Sequence, residues 1–306
     1  MMKFIRSVPM AICGLGLSLA VLGNLLLPFG PEVRYISGIL SLIVLTVFAL
    51  KIIFDTPHAL EELKTPVPLS VLPTSTMALM ILSTYIRPHI GGVALVIWCA
   101  ATVAQVLMML LFFKRFILGF KLTNVYPSWF IPFVGLVTAS VTAPAMGLRP
   151  VGQVIFWVGF VLYFAALVLI IMKKRSSIFV PEPLTLTTAI FTAPMSLLIV
   201  GYFSSFQERS EVLVYIMLAI AILSYIYVTV KMLTTFLKVR FYPTYSAYTF
   251  PYVISALAFR LANGFLIERG ITLFAPVAQI TQWIAVAVVA YVFINYIRYF
   301  KFVLKY

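Results

Sequence analysis

The sequence predicts an all-α integral membrane protein in which five helical hairpins surround a central pore. Apolar side chains make up 63% of the 306 residues and charged side chains only 10%, whereas charged residues approach a quarter of a soluble domain. Apolar runs long enough to cross about 30 Å of hydrocarbon recur along the whole chain. Prolines recur with them at nearly regular intervals. Residues 1–306 are therefore expected to form a single transmembrane domain.

Ten apolar segments, each about 15 to 25 residues long, are expected to be transmembrane helices. They lie near residues 8–27, 38–54, 70–86, 92–113, 129–145, 152–172, 184–203, 212–230, 248–266 and 274–297. The first segment follows Lys3 and Arg6, so it also has features of a secretory signal peptide. The proline repeat favours a permanent first helix instead.

A proline lies within every odd-numbered segment. Consecutive members are 64, 59, 62 and 57 residues apart, and the set comprises Pro9, Pro73, Pro132, Pro194 and Pro251. A period of about 60 residues is the length of one helical hairpin. A proline inside a helix removes a backbone hydrogen bond and costs about 3 kcal/mol, so five in register predict a common kink in the odd helices.

The odd and even segments differ in side-chain size. After their prolines the odd segments are rich in small and hydroxylated residues, such as Thr74, Ser75 and Thr76, whereas the even segments contain bulky runs such as residues 161–171. Bulky apolar side chains face lipid, and small residues pack between helices. We therefore expect five inner odd helices around a pseudo-fivefold pore and five outer even helices. The alternative is a generic bundle in which small residues only allow close packing.

The basic residues predict the orientation in the membrane. If the N-terminus is cytoplasmic, 16 of the 22 basic residues lie on that side: Lys3, Arg6, Lys51, Lys64, Lys114, Arg115, Lys121, Lys173, Lys174, Arg175, Lys231, Lys238, Arg240, Arg298, Lys301 and Lys305. The opposite side holds Arg34, Arg87, Arg149, Arg209 and Arg269. The positive-inside rule then places both termini in the cytoplasm. Topology and attraction to anionic membrane lipid explain the net charge of +14 without nucleic acid.

The acidic residues argue against an enzyme and against an ion-coupled pump. All eight carboxylates map to loops or helix ends, and only one of them is an aspartate. Coupled transporters usually keep an ionisable residue at the membrane midplane, and membrane transferases need clustered aspartates to hold magnesium. We therefore expect no catalytic residues, no metal site and no cofactor. A neutral, hydroxyl-lined conduit with basic mouths favours the passive passage of anions.

The residue before each repeat proline is a candidate for the narrowest point of the pore. These residues are Val8, Leu72, Ile131, Ala193 and Phe250, and only the last is aromatic. An apolar ring of this kind blocks ions by dewetting a constriction, and one phenyl group would dominate it. The alternative is that Phe250 packs between helices as an ordinary apolar side chain.

Arg260 is the only basic residue in the interior of a predicted segment, since Lys51 lies three residues from the end of segment 38–54. It lies nine residues beyond Pro251, about 13 Å further along a helix, which corresponds to the outer half of the membrane. An uncompensated charge there costs at least about 2.5 kcal/mol. We therefore expect Arg260 to face the pore vestibule, where it attracts anions, or to reach the outer interface.

Two stretches resemble a known family. Residues 247–251 (AYTFP) resemble the gate helix of the plant guard-cell slow anion channels, and residues 126–140 (YPSWFIPFVGLVTAS) are similar to the fifth helix of the bacterial tellurite-resistance and C4-dicarboxylate transporter family. The layout of five hairpins with kinked odd helices resembles the same family. Tyr126 stands where the closest bacterial pattern has a histidine before Pro127.

The resemblance implies a ten-helix subunit with its own anion pore, occluded by the phenylalanine at position 250, and assembly into homotrimers. The expected function is an anion channel or channel-like uniporter of a bacterial-type plasma (inner) membrane, and its partners are small inorganic or organic anions. The alternative is a secondary carrier that exports malate-like C4-dicarboxylates or sulfite, with or without proton coupling. A membrane scaffold or toxin-resistance factor that transports nothing is a third hypothesis.

Overall fold

The computed structural model describes residues 2–176, 178–236 and 240–305. Lys238, one of the predicted cytoplasmic basic residues, lies outside these ranges. Within them the secondary structure is helical, with no β-strand. We call the end of the helix bundle that holds helix Met2–Ser7 and the end of the last helix the terminal face, and the opposite end the distal face.

Each predicted segment corresponds to helix in the structure. The helices are labelled in chain order as α1 (Ile12–Leu25), α2 (Pro31–Phe54), α3 (Pro66–Ile86), α4 (Gly91–Ile117), α5 (Pro127–Val134 with Val137–Met146), α6 (Arg149–Arg175), α7 (Glu182–Ser205), α8 (Glu211–Thr234), α9 (Pro243–Ile267) and α10 (Ala275–Leu304). Among the described residues, eight are long and apolar enough to cross a membrane. The two halves of α5 meet at 46° and make a ninth span if counted together, and α1 is a shorter apolar helix. The count of ten spans stays a prediction.

The odd helices form a closed inner ring. In order around the ring, α1 contacts α3, α3 contacts the second half of α5, which contacts α7, and α7 contacts α9, which returns to α1. Each even helix packs outside this ring against the odd helices that precede and follow it in the chain, and α10 packs against α9 and α1. The chain is thus two layers of helices around one axis.

Burial separates the two layers. The apolar windows of α3, α7 and α9 are 61%, 78% and 72% buried, whereas those of the even helices are 22% to 39% buried. Every residue of α1 except Asn24 is buried. Lipid solvates apolar side chains as well as a protein interior does, so large apolar residues remain on the outer helices. The predicted difference between odd and even segments is present in the structure.

The repeat prolines occur in different local structures, so one common kink does not describe them. Pro9 separates helix Met2–Ser7 from α1, and Pro73 lies between helices Pro66–Val71 and Thr74–Ile86. Pro132 lies in helix Phe130–Val134, just before the bend in α5, and Pro194 is in the first turn of helix Ala193–Ser205, which follows a 3₁₀ helix. Pro251 lies inside the continuous helix Ser246–Ile267. A proline in a helix interior leaves the helix intact where surrounding groups accommodate the lost hydrogen bond.

A buried cation holds the break at Pro9. Lys51, in the last turn of α2, is 1% exposed, and its ammonium donates a hydrogen bond to the Val8 carbonyl at 2.5 Å and pairs with Glu62. The break frees backbone carbonyls that need donors. Lys51 therefore has a structural role on the terminal face in addition to any contribution to membrane orientation.

Candidate functional site

A cavity of about 60 Å³ lies at the centre of the inner ring. All five odd helices contribute to its wall, together with Ala11, which lies just before α1. The lining residues are Ala11, Gly14, Val67, Val71, Thr74, Met77, Phe130, Ile131, Val134, Gly135, Thr187, Ile190, Ala193, Pro194, Leu197, Thr244, Ser246, Ala247, Phe250 and Pro251. A water molecule needs about 10 to 15 Å³ measured in this way, so the cavity has space for a few waters or one small ion.

The wall of this central cavity is almost entirely apolar. None of the residues that line it is charged. Of its four hydroxyl groups, three donate to or share hydrogen bonds with neighbouring protein groups: Thr74 with Val71 and Cys13, Thr187 with Leu184, and Ser246 with Tyr296. The buried Thr244 hydroxyl has no partner within the described ranges. An ion that enters such a space loses hydrating water and gains too few polar contacts to replace it, which costs several kcal/mol.

Phe250 lies in the wall of the central cavity and is 8% exposed. Ile131 and Ala193, two other residues that precede repeat prolines, also line it. Val8 and Leu72 do not, and Ala11 and Val71 supply the lining from their segments instead. Pro194 and Pro251 are in the wall, whereas Pro9, Pro73 and Pro132 are not. The structure thus brings three of the five predicted ring positions together, with the single phenyl group among them.

Many hydroxyl groups of the odd helices join helices to one another instead of lining the cavity. Ser255 of α9 lies 2.9 Å from the hydroxyls of both Thr192 and Ser196 of α7. Ser205 donates to the Ser140 carbonyl at 2.7 Å and so joins α7 to α5. All five side chains are fully buried. At these positions the small residues allow close helix packing, as the alternative of a generic helix bundle predicts.

Gln105 is a buried polar residue that the sequence analysis missed. It lies on the outer helix α4, is 0% exposed, and accepts a hydrogen bond from the Thr76 hydroxyl at 2.6 Å. Its amide nitrogen has no partner among the described residues and lies 3.2 Å from where a Cβ on Gly135 would be. Gly135 lines the cavity. The signal that could have identified it is an amide side chain within an apolar segment.

Arg260 holds the distal end of α1. Its guanidinium donates to the backbone carbonyls of Leu25 and Asn24, the latter at 3.2 Å. Arg34 donates to the side-chain oxygen of the same Asn24 at 3.0 Å. The last carbonyls of a helix lack partners within the helix, and Arg260 supplies donors to two of them. Within the described part of the chain, neither arginine forms a salt bridge with a carboxylate.

Comparison with protein-family models decides the class of protein. The model of the voltage-dependent anion channel family, SLAC1, matches residues 5–297. The chain belongs to the voltage-dependent anion channel family. No curated protein matches the chain. Membership confirms the family resemblance, and it identifies the chain as an integral membrane protein for anion transport, which is not an enzymatic activity.

Proposed function

We propose that the chain is a passive anion channel or channel-like uniporter in which Phe250 occludes a central pore. The observation that carries the proposal is the cavity on the axis of the inner ring, with Phe250 in its wall, in a chain of the voltage-dependent anion channel family. The cavity has no charged residue in its lining and is too small for a hydrated ion to pass without loss of water. It therefore corresponds to a closed pore.

The position of the buried carboxylate supports passive transport. Of the carboxylates in the described ranges, only Asp55 is buried. It follows α2 at the terminal face, where its Oδ1 lies 3.7 Å from Arg6 Nε and 3.6 Å from His58 Nδ1. A coupling site needs an ionisable group on the transport path near the midplane. Asp55 lies away from the central cavity, so it does not fill that role.

The subunit crosses the plasma membrane ten times with pseudo-fivefold symmetry, both termini are cytoplasmic, and three subunits with separate pores form a homotrimer. Repulsion of cations and attraction of anions arise at the distal face, where Arg34 and Arg260 lie close to Asn24. The carrier of malate-like dicarboxylates or sulfite is the competing function.

The ion preference of the purified protein tests the proposed function. Reconstituted in a planar bilayer between potassium chloride solutions of unequal concentration, the protein is expected to give a current that reverses near the chloride equilibrium potential. Replacement of chloride on one side by nitrate, sulfite or malate then ranks the anions by permeability. A current that reverses at the potassium equilibrium potential would exclude an anion channel.

Replacing Arg260 with glutamine is expected to lower both the melting temperature and the preference for anions over cations. The shorter neutral side chain loses the hydrogen bonds to the end of α1, and a bond to a charged group contributes about 1.5 to 3 kcal/mol. It also removes a positive charge from the distal face. Thermal unfolding of the purified protein and reversal potentials in the bilayer measure the two effects.

Arg260→Lys separates the two roles of this residue. Lysine keeps the charge but lacks the planar, forked set of donors, so this variant is expected to lose stability and to retain anion preference. If Arg260→Gln leaves both conductance and anion preference unchanged, Arg260 does not attract permeating anions.

A further inference from the structure

A second cavity, of about 220 Å³, opens on the terminal face beside the inner ring. It lies between the C-terminal end of α6, the start of α7, α8 and the turn before α5. Its lining includes Tyr126, Lys173, Lys174, Thr188 and Tyr227. Thr187 lines both this pocket and the central cavity. We call this space the lateral pocket.

Two ammonium groups belong to the lateral pocket. Lys173 is 7% exposed, donates to the Thr123 carbonyl at 3.0 Å, and lies 5.4 Å from the centre of the Tyr126 ring. Lys174 donates to the Tyr227 hydroxyl at 2.8 Å and lies 4.2 Å from the centre of that ring. An ammonium has three donors, so each lysine keeps donors that these neutral acceptors do not use.

No carboxylate offsets this charge in the described part of the chain. The ion pairs there involve Lys51, Lys64, Arg6, Arg269 and His58, but neither Lys173 nor Lys174. Lysines in the last turn of a helix are common, since they complement the helix dipole and lipid headgroups. A fully exposed side chain suffices for that purpose. Lys173 is instead buried in the wall of a cavity, where an unpaired cation is costly unless an anion joins it.

The donors around the lateral pocket indicate the class of anion. Besides the two ammonium groups, the Tyr227 hydroxyl keeps its own proton because it accepts from Lys174, and Thr188 adds another hydroxyl. Several separate donors match an anion with several oxygens better than a halide, which is a single atom. Two positive charges match a dianion.

We propose that the lateral pocket binds a phosphate-type oxyanion between Lys173 and Lys174. The same chemistry is present in free inorganic phosphate and in the headgroup of an acidic phospholipid, and the pocket opens on the face where such headgroups lie. The bound anion sits beside the terminal-face end of the central cavity, with Thr187 as the shared wall. The site does not require that the central cavity conducts ions, so binding tests it separately from the proposed function.

Binding to the full chain, purified in detergent and freed of lipid, tests the site directly. Titration with inorganic phosphate, followed by calorimetry and by the melting temperature, is expected to show saturable binding to the wild type. The double variant K173Q/K174Q is expected to weaken this binding at least about tenfold, a loss of about 1.4 kcal/mol. The matched control K114Q/K301Q has the same net charge and changes two exposed lysines of the terminal face. It is expected to bind like the wild type.

Two further variants keep the test valid if Lys173→Gln disturbs folding. Lys174 is exposed, so Lys174→Gln is expected to fold normally and to weaken binding, whereas Lys174→Arg retains the charge and is expected to preserve it. Saturable phosphate binding that is equally strong in wild type and K174Q, or that K114Q/K301Q weakens as much as K173Q/K174Q does, would overturn the site.

Lipid vesicles distinguish the two sources of the anion. The wild type is reconstituted in phosphatidylcholine alone or with phosphatidic acid, and thermal stabilisation by each is compared with K173Q/K174Q. Stabilisation by inorganic phosphate in phosphatidylcholine that the variant lacks identifies a free oxyanion. Stabilisation by phosphatidic acid that the variant lacks, and that phosphate does not reproduce, identifies a headgroup. If neither ligand distinguishes wild type from variant, the pocket is not an oxyanion site.

Discussion

Phe250→Ala is expected to raise the basal anion current about tenfold or more, since each 1.4 kcal/mol removed from a barrier changes a rate about tenfold. Phe250 is the single phenyl group among the residues before repeat prolines, and it lies in the wall of a cavity that contains no charge. Trimming it to a methyl group widens and wets the constriction, which lowers the cost of partial dehydration of an ion. Current per unit of surface-expressed protein measures the effect.

Phe191→Ala is the matched control for the gate. Phe191 lies three residues before Pro194 and packs against Phe130 and Tyr227, with ring centres 5.8 and 6.3 Å away. It does not line the central cavity. The same loss of a phenyl group there is expected to reduce stability more than it changes conductance. Equal currents from wild type and Phe250→Ala at equal surface expression would leave Phe250 as a packing residue.

Gly23→Ala is expected to destabilise the protein by about 1 to 3 kcal/mol, the usual cost of overpacking a dense interior. Gly23 lies near the distal end of α1, where a Cβ would overlap the Tyr85 hydroxyl and come within 2.9 Å of the Arg34 carbonyl oxygen. The tyrosine has little freedom to move, because its hydroxyl donates to the Ala20 carbonyl of α1. Thermal unfolding in a single detergent measures the change.

Gly264→Ala provides the comparison within the inner ring. Gly264 is a helical residue of α9, and a Cβ there meets no heavy atom within 4 Å. Alanine is favoured over glycine inside a helix by about 0.5 to 1 kcal/mol, so this variant is expected to melt at or above the wild-type temperature. If both variants melt like the wild type, the close approach of α1, α2 and α3 at Gly23 is not a tight contact.

The layering of the helices could be predicted from the sequence because it depends on the bulk of many side chains. Apolar length located the segments, and the small residues after the repeat prolines marked α1, α3, α5, α7 and α9 as inner helices. Segment ends were less accurate. The bend in α5 lies at residues 135–136, which begin three residues after Pro132, the residue expected to mark the kink. Helix α1 is shorter than the predicted segment.

The details of the cavity wall could not be predicted, since they depend on side-chain direction. Residues before prolines were expected to form one ring, but the local helix structure differs from proline to proline, and Val8 and Leu72 are not part of the lining. Hydroxyl groups were expected to face the conduit, yet Ser255 bonds to α7. The direction of such a side chain depends on partners that lie far away in the sequence. The burial of Lys51 against the Val8 carbonyl likewise depends on residues 43 positions apart.

The central claim is that anions cross the protein passively, down their own electrochemical gradient. The most direct measurement uses purified protein in a bilayer with the voltage clamped, equal anion concentrations on both sides, and a pH difference of two units. We expect no net anion current at zero voltage under these conditions and a current that follows the anion gradient when one is imposed. Sustained uphill uptake of malate or sulfite driven by the pH difference alone would contradict the channel and establish a proton-coupled carrier.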